Sequence, residues 1–140
     1  MRHIDKIIVH CSATPEGKHF SAETITSWHR KRGFSDIGYH FIIHLDGSFE
    51  YGRMVDVQGA HCRGQNKSSI GLCYIGGMND TMEEWVDTRT DKQKDSLVEL
   101  LSLLKKFHPK AEIFGHRDFS DKPCPSFNAR EEYKYICNDL

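Results

Sequence analysis

The sequence predicts an α/β (α+β) layer fold, one domain over residues 1–140 with a central mixed β-sheet flanked by helices. Three observations predict it. Short β-branched runs alternate with helical patterns along the chain. An Asp-Gly turn joins two strand-like runs. A leucine stripe of helical period marks one long helix that needs a sheet to pack on. A chain of 140 residues is of single-domain length and buries a core without staples.

In chain order, Lys6–Cys11 is apolar and β-branched and reads as a strand buried on both faces. Ser21 is an N-cap for a helix from Ala22 to Arg32, with Ile25 and Trp28 on one face and Gly33 as its stop. Tyr39–Leu45 and Ser48–Tyr51 form a hairpin around Asp46-Gly47. The spacing places Tyr39, Phe41 and Ile43 on one strand face and His40 and His44 on the other. Ser69–Ile75 is a strand closed by Gly76-Gly77, and Met78–Arg89 is a polar loop expected to be flexible.

Thr90 and Gln93 match a capping box opening a helix that runs to Phe107. Leu97, Leu100, Leu101 and Leu104 form its apolar stripe, and Pro109 ends it. Glu112–Phe114 is a short strand. Asn128 caps a last helix, with Glu131 completing a second capping box.

Composition narrows the function classes. Nineteen basic and 20 acidic residues give a net charge of -1, without the basic footprint of a nucleic-acid binder. No apolar run is long enough for a membrane span, and the N-terminus lacks the apolar core of a signal peptide. Synthesis in a cytoplasm is therefore expected. The five cysteines are Cys11, Cys62, Cys73, Cys124 and Cys137, an odd count that argues against a disulfide framework. Cys11, Cys73 and Cys137 read as small buried hydrophobes.

Three residues stand together as chemistry. His10 ends the first strand, His116 follows the short strand that leads into Phe114-Gly115, and Cys124 lies between Pro123 and Pro125. Residues just past strand ends converge at one sheet edge, where sites are built. Two imidazoles and one thiolate are a zinc set with one position open, the pattern of catalytic rather than structural sites. With nine histidines in the chain, spacing alone leaves a packing or surface role open for each. Lys122 and Cys124 each precede a proline, which favours extended backbone and points both side chains the same way. A solvated surface lysine is the alternative for Lys122.

The blocks Ile8-Val9-His10-Cys11-Ser12-Ala13-Thr14, Ile37-Gly38-Tyr39-His40-Phe41-Ile42-Ile43, His61 to Gly77, Gly115-His116-Arg117-Asp118 and Lys122-Pro123-Cys124-Pro125-Ser126-Phe127 follow one another along nearly the whole chain. In that order they resemble the type-2 N-acetylmuramoyl-L-alanine amidases, which share a fold with peptidoglycan recognition proteins. The resemblance is greatest to the lysozyme-like amidases of T-odd phages. It implies a hydrolase that cuts the amide between the lactyl group of N-acetylmuramic acid and L-alanine in bacterial peptidoglycan. It further implies one Zn²⁺ per chain held by His10, His116 and Cys124, with Tyr39 and Lys122 catalytic beside it and His61 and Asn66 lining the substrate groove. The partner it implies is peptidoglycan, with no nucleic acid or membrane, acting as a monomer on the cell wall after release or export.

Two alternatives stay open. A wall-binding module of the same fold would not cleave, although the presence of Cys124 favours catalysis because binding-only relatives typically lose that cysteine. A cysteine hydrolase would use Cys124 as nucleophile and His116 as base. Among the other histidines, His3, His19 and His108 read as surface residues, and His40 and His44 as structural or solvent-facing.

Overall fold

The structure is a computed structural model that describes residues 2–137. Strand β1 (Lys6–Cys11) lies inside a five-stranded sheet. Its neighbours are β5 (Ser69–Tyr74) and β7 (Glu112–Gly115), both parallel to it. Beyond β5 come β3 (Phe41–Ile43), also parallel, and the antiparallel edge strand β4 (Phe49–Tyr51). The order is therefore β4-β3-β5-β1-β7, a mixed sheet. A second, two-residue ladder pairs β2 (Thr14–Pro15) with β6 (Gly77–Met78).

Strand periodicity sorts β1 between two layers. Ile7, Val9 and Cys11 enter the larger core, while Ile8 packs with Cys62 and Phe114 on the other face. Ile7, Ile8 and Val9 are all fully buried, as a central parallel strand requires. The first face is covered by α2 (Asp91–Phe107) through Leu97, Leu100, Leu101 and Leu104. Each leucine so buried contributes about 2 kcal/mol. The opposite face carries α1 (Ala22–Lys31), whose Ile25 packs with Ile37, Ile42 and Ile75.

Both caps form as the sequence specifies. Ser21 accepts from Thr24 N–H at 3.1 Å. At α2, Thr90 Oγ1 accepts from Gln93 N–H at 3.1 Å and Gln93 Oε1 accepts from Thr90 N–H at 3.0 Å. Gln93 is also fully buried, because its amide donates to the carbonyls of Ile75 and Ile43 at the ends of β5 and β3. A buried amide is tolerated only when so engaged.

The structure departs from the sequence reading in three places. The segment 78–89 is mostly loop, as expected, but its polar groups find internal partners that the sequence did not indicate. Asn79 Oδ1 accepts from the N–H groups of Glu83 and Glu84, Met78 bridges Trp85, and Thr88 Oγ1 accepts from Gly77 N–H. Arg89 is buried against Asp87 and Glu132. Secondly, the C-terminal helix is two short pieces, α3 (Ala129–Glu132) and α4 (Lys134–Cys137), broken at the buried Tyr133. Asn128 does cap α3, but the Glu131 carboxylate engages Lys134 at 2.6 Å rather than turning back to the cap. Thirdly, β3 begins only at Phe41, so Tyr39 does not share a face with Phe41 and Ile43. It packs instead with Ile37 and Ile42 in the α1-side layer. Cys11, Cys62, Cys73 and Cys124 are free and buried, whereas the side chain of Cys137 lies outside the described residues.

Candidate active site

The C-terminal ends of the parallel strands meet at one edge of the sheet, where such folds place their sites. His10 is the penultimate residue of β1 and is almost fully buried. On the strand alternation it shares the side of Ile8, facing the α1 layer. His116 is carried by a single 3₁₀ turn, His116–Asp118, that directly follows β7. The Asp118 carboxylate closes that turn by accepting Gly115 N–H at 2.8 Å.

Cys124 comes from an irregular segment held at several points. Its carbonyl accepts Arg117 N–H at 2.7 Å, which ties the segment to the His116 turn. Tyr74 Oη donates to Pro125 O at 2.6 Å, and Ser126 Oγ donates to Gly77 O at 2.8 Å. Pro125 packs so closely on β7 that a Cβ at Gly115 would lie 2.9 Å from its Cδ. The glycine before His116 is thus required by the loop that carries Cys124.

One nitrogen from each histidine and Sγ of Cys124 all lie within 4.8 Å of one another. Cys124 Sγ is 3.9 Å from His10 Nδ1. Zinc bonds of about 2.0–2.3 Å in a tetrahedron set ligand atoms roughly 3.3–3.8 Å apart, so small adjustments bring this set onto an ion. Protonation agrees. Burial, and then the neighbouring His61 and His116, hold His10 well below the ordinary imidazole pKa. Burial, reinforced by Lys122, lowers His116 as well. Both imidazoles are therefore neutral, the form that binds metal. A hydrogen bond shared with Cys11, then burial, pushes the Cys124 thiol up. A cation reverses that by binding only the thiolate. The residues present fit a zinc ion.

The three line a cavity of about 810 Å³ that opens to solvent. Tyr39 and Lys122 line it too. The Tyr39 ring lies 5.2 Å from that of His10 and is half-buried. Burial, with the nearby Cys73, raises its phenol well above the usual value, so it stays a hydrogen-bond donor. Lys122 is exposed at the rim. Arg32 and Arg63 add two more cations, Trp28 and Trp85 add aromatic faces, and among the described residues no carboxylate lines the cavity.

His61 and Asn66 also reach the cavity wall, but both have internal partners. Asn66 Oδ1 accepts the N–H groups of His61 and Cys62 at 2.9 Å each. His61 Nδ1 lies 2.8 Å from His10 Nε2, and its Nε2 lies 3.2 Å from Ser69 Oγ. Two further histidines brace this region: His29, which lines the cavity and was given no role from sequence, and His40, which is structural as expected. His29 Nδ1 accepts Gly38 N–H at 2.8 Å, fixing the turn before Tyr39. His40 Nδ1 accepts Gly71 N–H at 3.0 Å while Nε2 donates to Val57 O at 2.8 Å. Burial lowers each of them to about 4. Sequence offered no signal for these particular bonds, which depend on partners 9 to 31 positions away.

Comparison with known proteins shows the family. The family model described as N-acetylmuramoyl-L-alanine amidase (Amidase_2) matches residues 1–127. The endolysin of Enterobacteria phage K11 is 39% identical over 129 residues, covering 92% of this chain and 85% of the endolysin. The endolysin of Escherichia phage T7 is 39% identical over 126 residues, covering 90% and 83%. Among solved structures, the N-acetylmuramoyl-L-alanine amidase LysC from Clostridium intestinale superposes with a TM-score of 0.82 at 29% identity, covering 99% of this chain and 88% of LysC. Drosophila PGRP-LB superposes with a TM-score of 0.79 at 25% identity, covering 96% and 81%. The family match and these likenesses lead to one conclusion: the chain belongs to the Amidase_2 family of N-acetylmuramoyl-L-alanine amidases.

Proposed function

We propose that this chain is a zinc-dependent hydrolase that cleaves the amide between the lactyl group of N-acetylmuramic acid and L-alanine in bacterial peptidoglycan, and that it lyses cell walls as an endolysin. The observation that carries this reading is the convergence of His10, His116 and Cys124 on the wall of one open, cationic cleft. Family membership and the endolysin relatives support it. A PGRP-LB variant at the same fold was solved in complex with tracheal cytotoxin, which supports a muropeptide as the ligand of this cleft.

A zinc ion bound there supplies Lewis acidity toward a carbonyl and toward water at neutral pH. The protein groups do the rest. His10, His116 and Cys124 hold the ion. The Lys122 ammonium, at the same rim, stabilises negative charge that develops on the carbonyl oxygen. Tyr39, held protonated, donates its hydroxyl to the oxyanion or to the departing amine. Arg32 and Arg63 attract the carboxylates of a stem peptide, and Trp28 and Trp85 offer faces for its apolar parts. His61 and Asn66 shape the groove from the wall.

In this reading peptidoglycan is the partner, with neither nucleic acid nor membrane, and the chain acts as a monomer. No helix among the described residues is long and apolar enough to cross a membrane. Release or export to the wall, where the endolysin relatives' name places the action, completes the proposal. The buried Cys124, with its thiol pushed up, is a poor free nucleophile, because nucleophilic cysteines need a lowered pKa.

The test is digestion of purified peptidoglycan followed by mass spectrometry, with and without chelation. The expected products are stem peptides with a new L-alanine amino terminus; chelation stops their release and zinc restores it. Binding without new amino groups would favour the wall-binding module. Full activity in a zinc-free preparation, abolished by thiol alkylation, would favour the cysteine hydrolase.

A further inference from the structure

The Nδ1 edge of the His10 ring faces Cys124, and its Nε2 edge faces His61. The two rings meet edge to face at 90°, with centroids 4.9 Å apart. Beyond His61 stands Ser69, fully buried at the start of β5, with its hydroxyl 3.2 Å from His61 Nε2. The three side chains form a line running from the candidate metal position into the protein.

The backbone makes room for that line. Gly71 lies inside β5, paired in register with Ile8 of β1. A Cβ there would come within 2.5 Å of His61 Cγ and 2.7 Å of its Nδ1. A Cβ at Gly59 would lie 2.8 Å from His61 Cδ2. Glycine within a strand weakens it and often marks a close approach. At Gly71 the space left by the absent side chain is filled by this one imidazole, and at Gly59 the imidazole shares it with Gly38 O and the His40 ring. The backbone of His61 is fixed as well, through its N–H donated to Asn66 Oδ1.

We propose that His61 is a positioning residue for His10: it accepts the Nε2–H of His10 and passes the orientation back to Ser69. This inference rests on the reading of His10, His116 and Cys124 as zinc ligands. Metal at Nδ1 of His10 leaves the single ring proton on Nε2, where it needs an acceptor. Neutral His61 offers that acceptor at Nδ1 and carries its own proton on Nε2. That proton goes to the Ser69 hydroxyl oxygen. The chain of donors has one direction, and it fixes the tautomer and the angle of His10 before metal arrives. It also gives both ring nitrogens of His61 work within the protein, a role distinct from contact with substrate.

The test compares the full-length protein with His61→Asn and His61→Leu. These two side chains are close in shape, but only asparagine presents an acceptor near the position of Nδ1. Zinc affinity is read by competition with a chromophoric chelator, and site geometry by the visible spectrum of the Co²⁺-loaded protein. His61→Leu is expected to weaken zinc binding about 10–100-fold, the usual effect of losing an outer partner of a metal histidine. His61→Asn is expected to recover most of that loss and to keep the wild-type Co²⁺ spectrum. Leucine binding zinc as tightly as wild type, or asparagine doing no better than leucine, overturns the proposal. Should the leucine variant fail to fold, Ser69→Ala tests the same line with both rings kept. Weaker zinc binding is expected there, and unchanged affinity overturns the proposal. A wild-type protein that binds no zinc sinks the metal reading itself, an outcome separate from equal binding by the variants.

Discussion

The backbone N–H of Cys11 donates to Sγ of Cys124 across 3.2 Å, joining residues 113 positions apart. This bond hands the sulfur a fixed donor at the end of β1, beside His10. Hydrogen bonds to a thiolate stabilise its charge and orient its remaining lone pairs. In the proposed zinc site, the same end of β1 therefore supplies one nitrogen ligand directly and steers the sulfur ligand through its main chain.

Cys124→Ser is expected to lose zinc while remaining folded. A serine hydroxyl keeps its proton near neutral pH and is a poor zinc ligand, yet fits the same space. Its loss of affinity should exceed the roughly 100-fold ceiling for outer partners. Metal analysis of the purified variant, beside its urea midpoint, checks this; a variant that retains stoichiometric zinc contradicts the ligand assignment.

Lys122→Ala is expected to keep zinc and lose turnover. Lys122 is exposed at the rim, so its removal leaves no cavity in the core. Losing one donor to a developing oxyanion lowers kcat by about 10²–10³. Rates of amine release on peptidoglycan, with metal content measured on the same samples, separate this from a loss of the ion. A normal kcat with a raised KM would instead mark Lys122 as a substrate-binding group.

Stability should fall as the solution is acidified from neutral. His29 and His40, each lowered to about 4 by burial, are neutral in the folded protein but titrate near 6.5 when unfolded. The unfolded state thus binds more protons below pH 6.5, and acid favours it. The loss begins as pH drops through 6.5 and is complete near pH 4. At pH 5 each histidine costs about 2 kcal/mol. Urea midpoints between pH 7 and pH 4 read the slope. His29→Asn retains an acceptor for Gly38 N–H and should make the slope shallower; an unchanged slope would remove His29 from the account.

Arg89→Ala should destabilise the fold by about 3 kcal/mol, the low end for a broken buried ion pair, because both carboxylates keep some hydration. The guanidinium is 2.8 Å from Asp87, 2.6 Å from Glu132 and 2.8 Å from the Tyr133 hydroxyl, and sits 3.4 Å above the Phe127 ring. It clamps the segment after β6 to the end of the segment that carries Cys124. Denaturation by urea checks the magnitude, and a change under 1 kcal/mol, the usual worth of a surface pair, would contradict the clamp.

The sequence by itself determined whatever depends on neighbours along the chain. The leucine stripe of α2, the Thr90–Gln93 capping box and the Asp46-Gly47 turn follow from local periods and local hydrogen bonds, and all three are present. Strand ends and proline flanks only suggested that His10, His116 and Cys124 converge; the family resemblance singled them out, and parallel strands do bring them together. Tertiary structure alone decided the rest. The partnership of His61 with His10 spans 51 positions, and the slot for its ring depends on Gly59 and Gly71. Tyr39 changed layers because β3 starts later than the alternation suggested. Arg89 is buried only because Glu132 and Tyr133 arrive from the far end of the chain. A buried polar group is settled by the partners it finds, and those partners are brought near only once the sheet has closed over them.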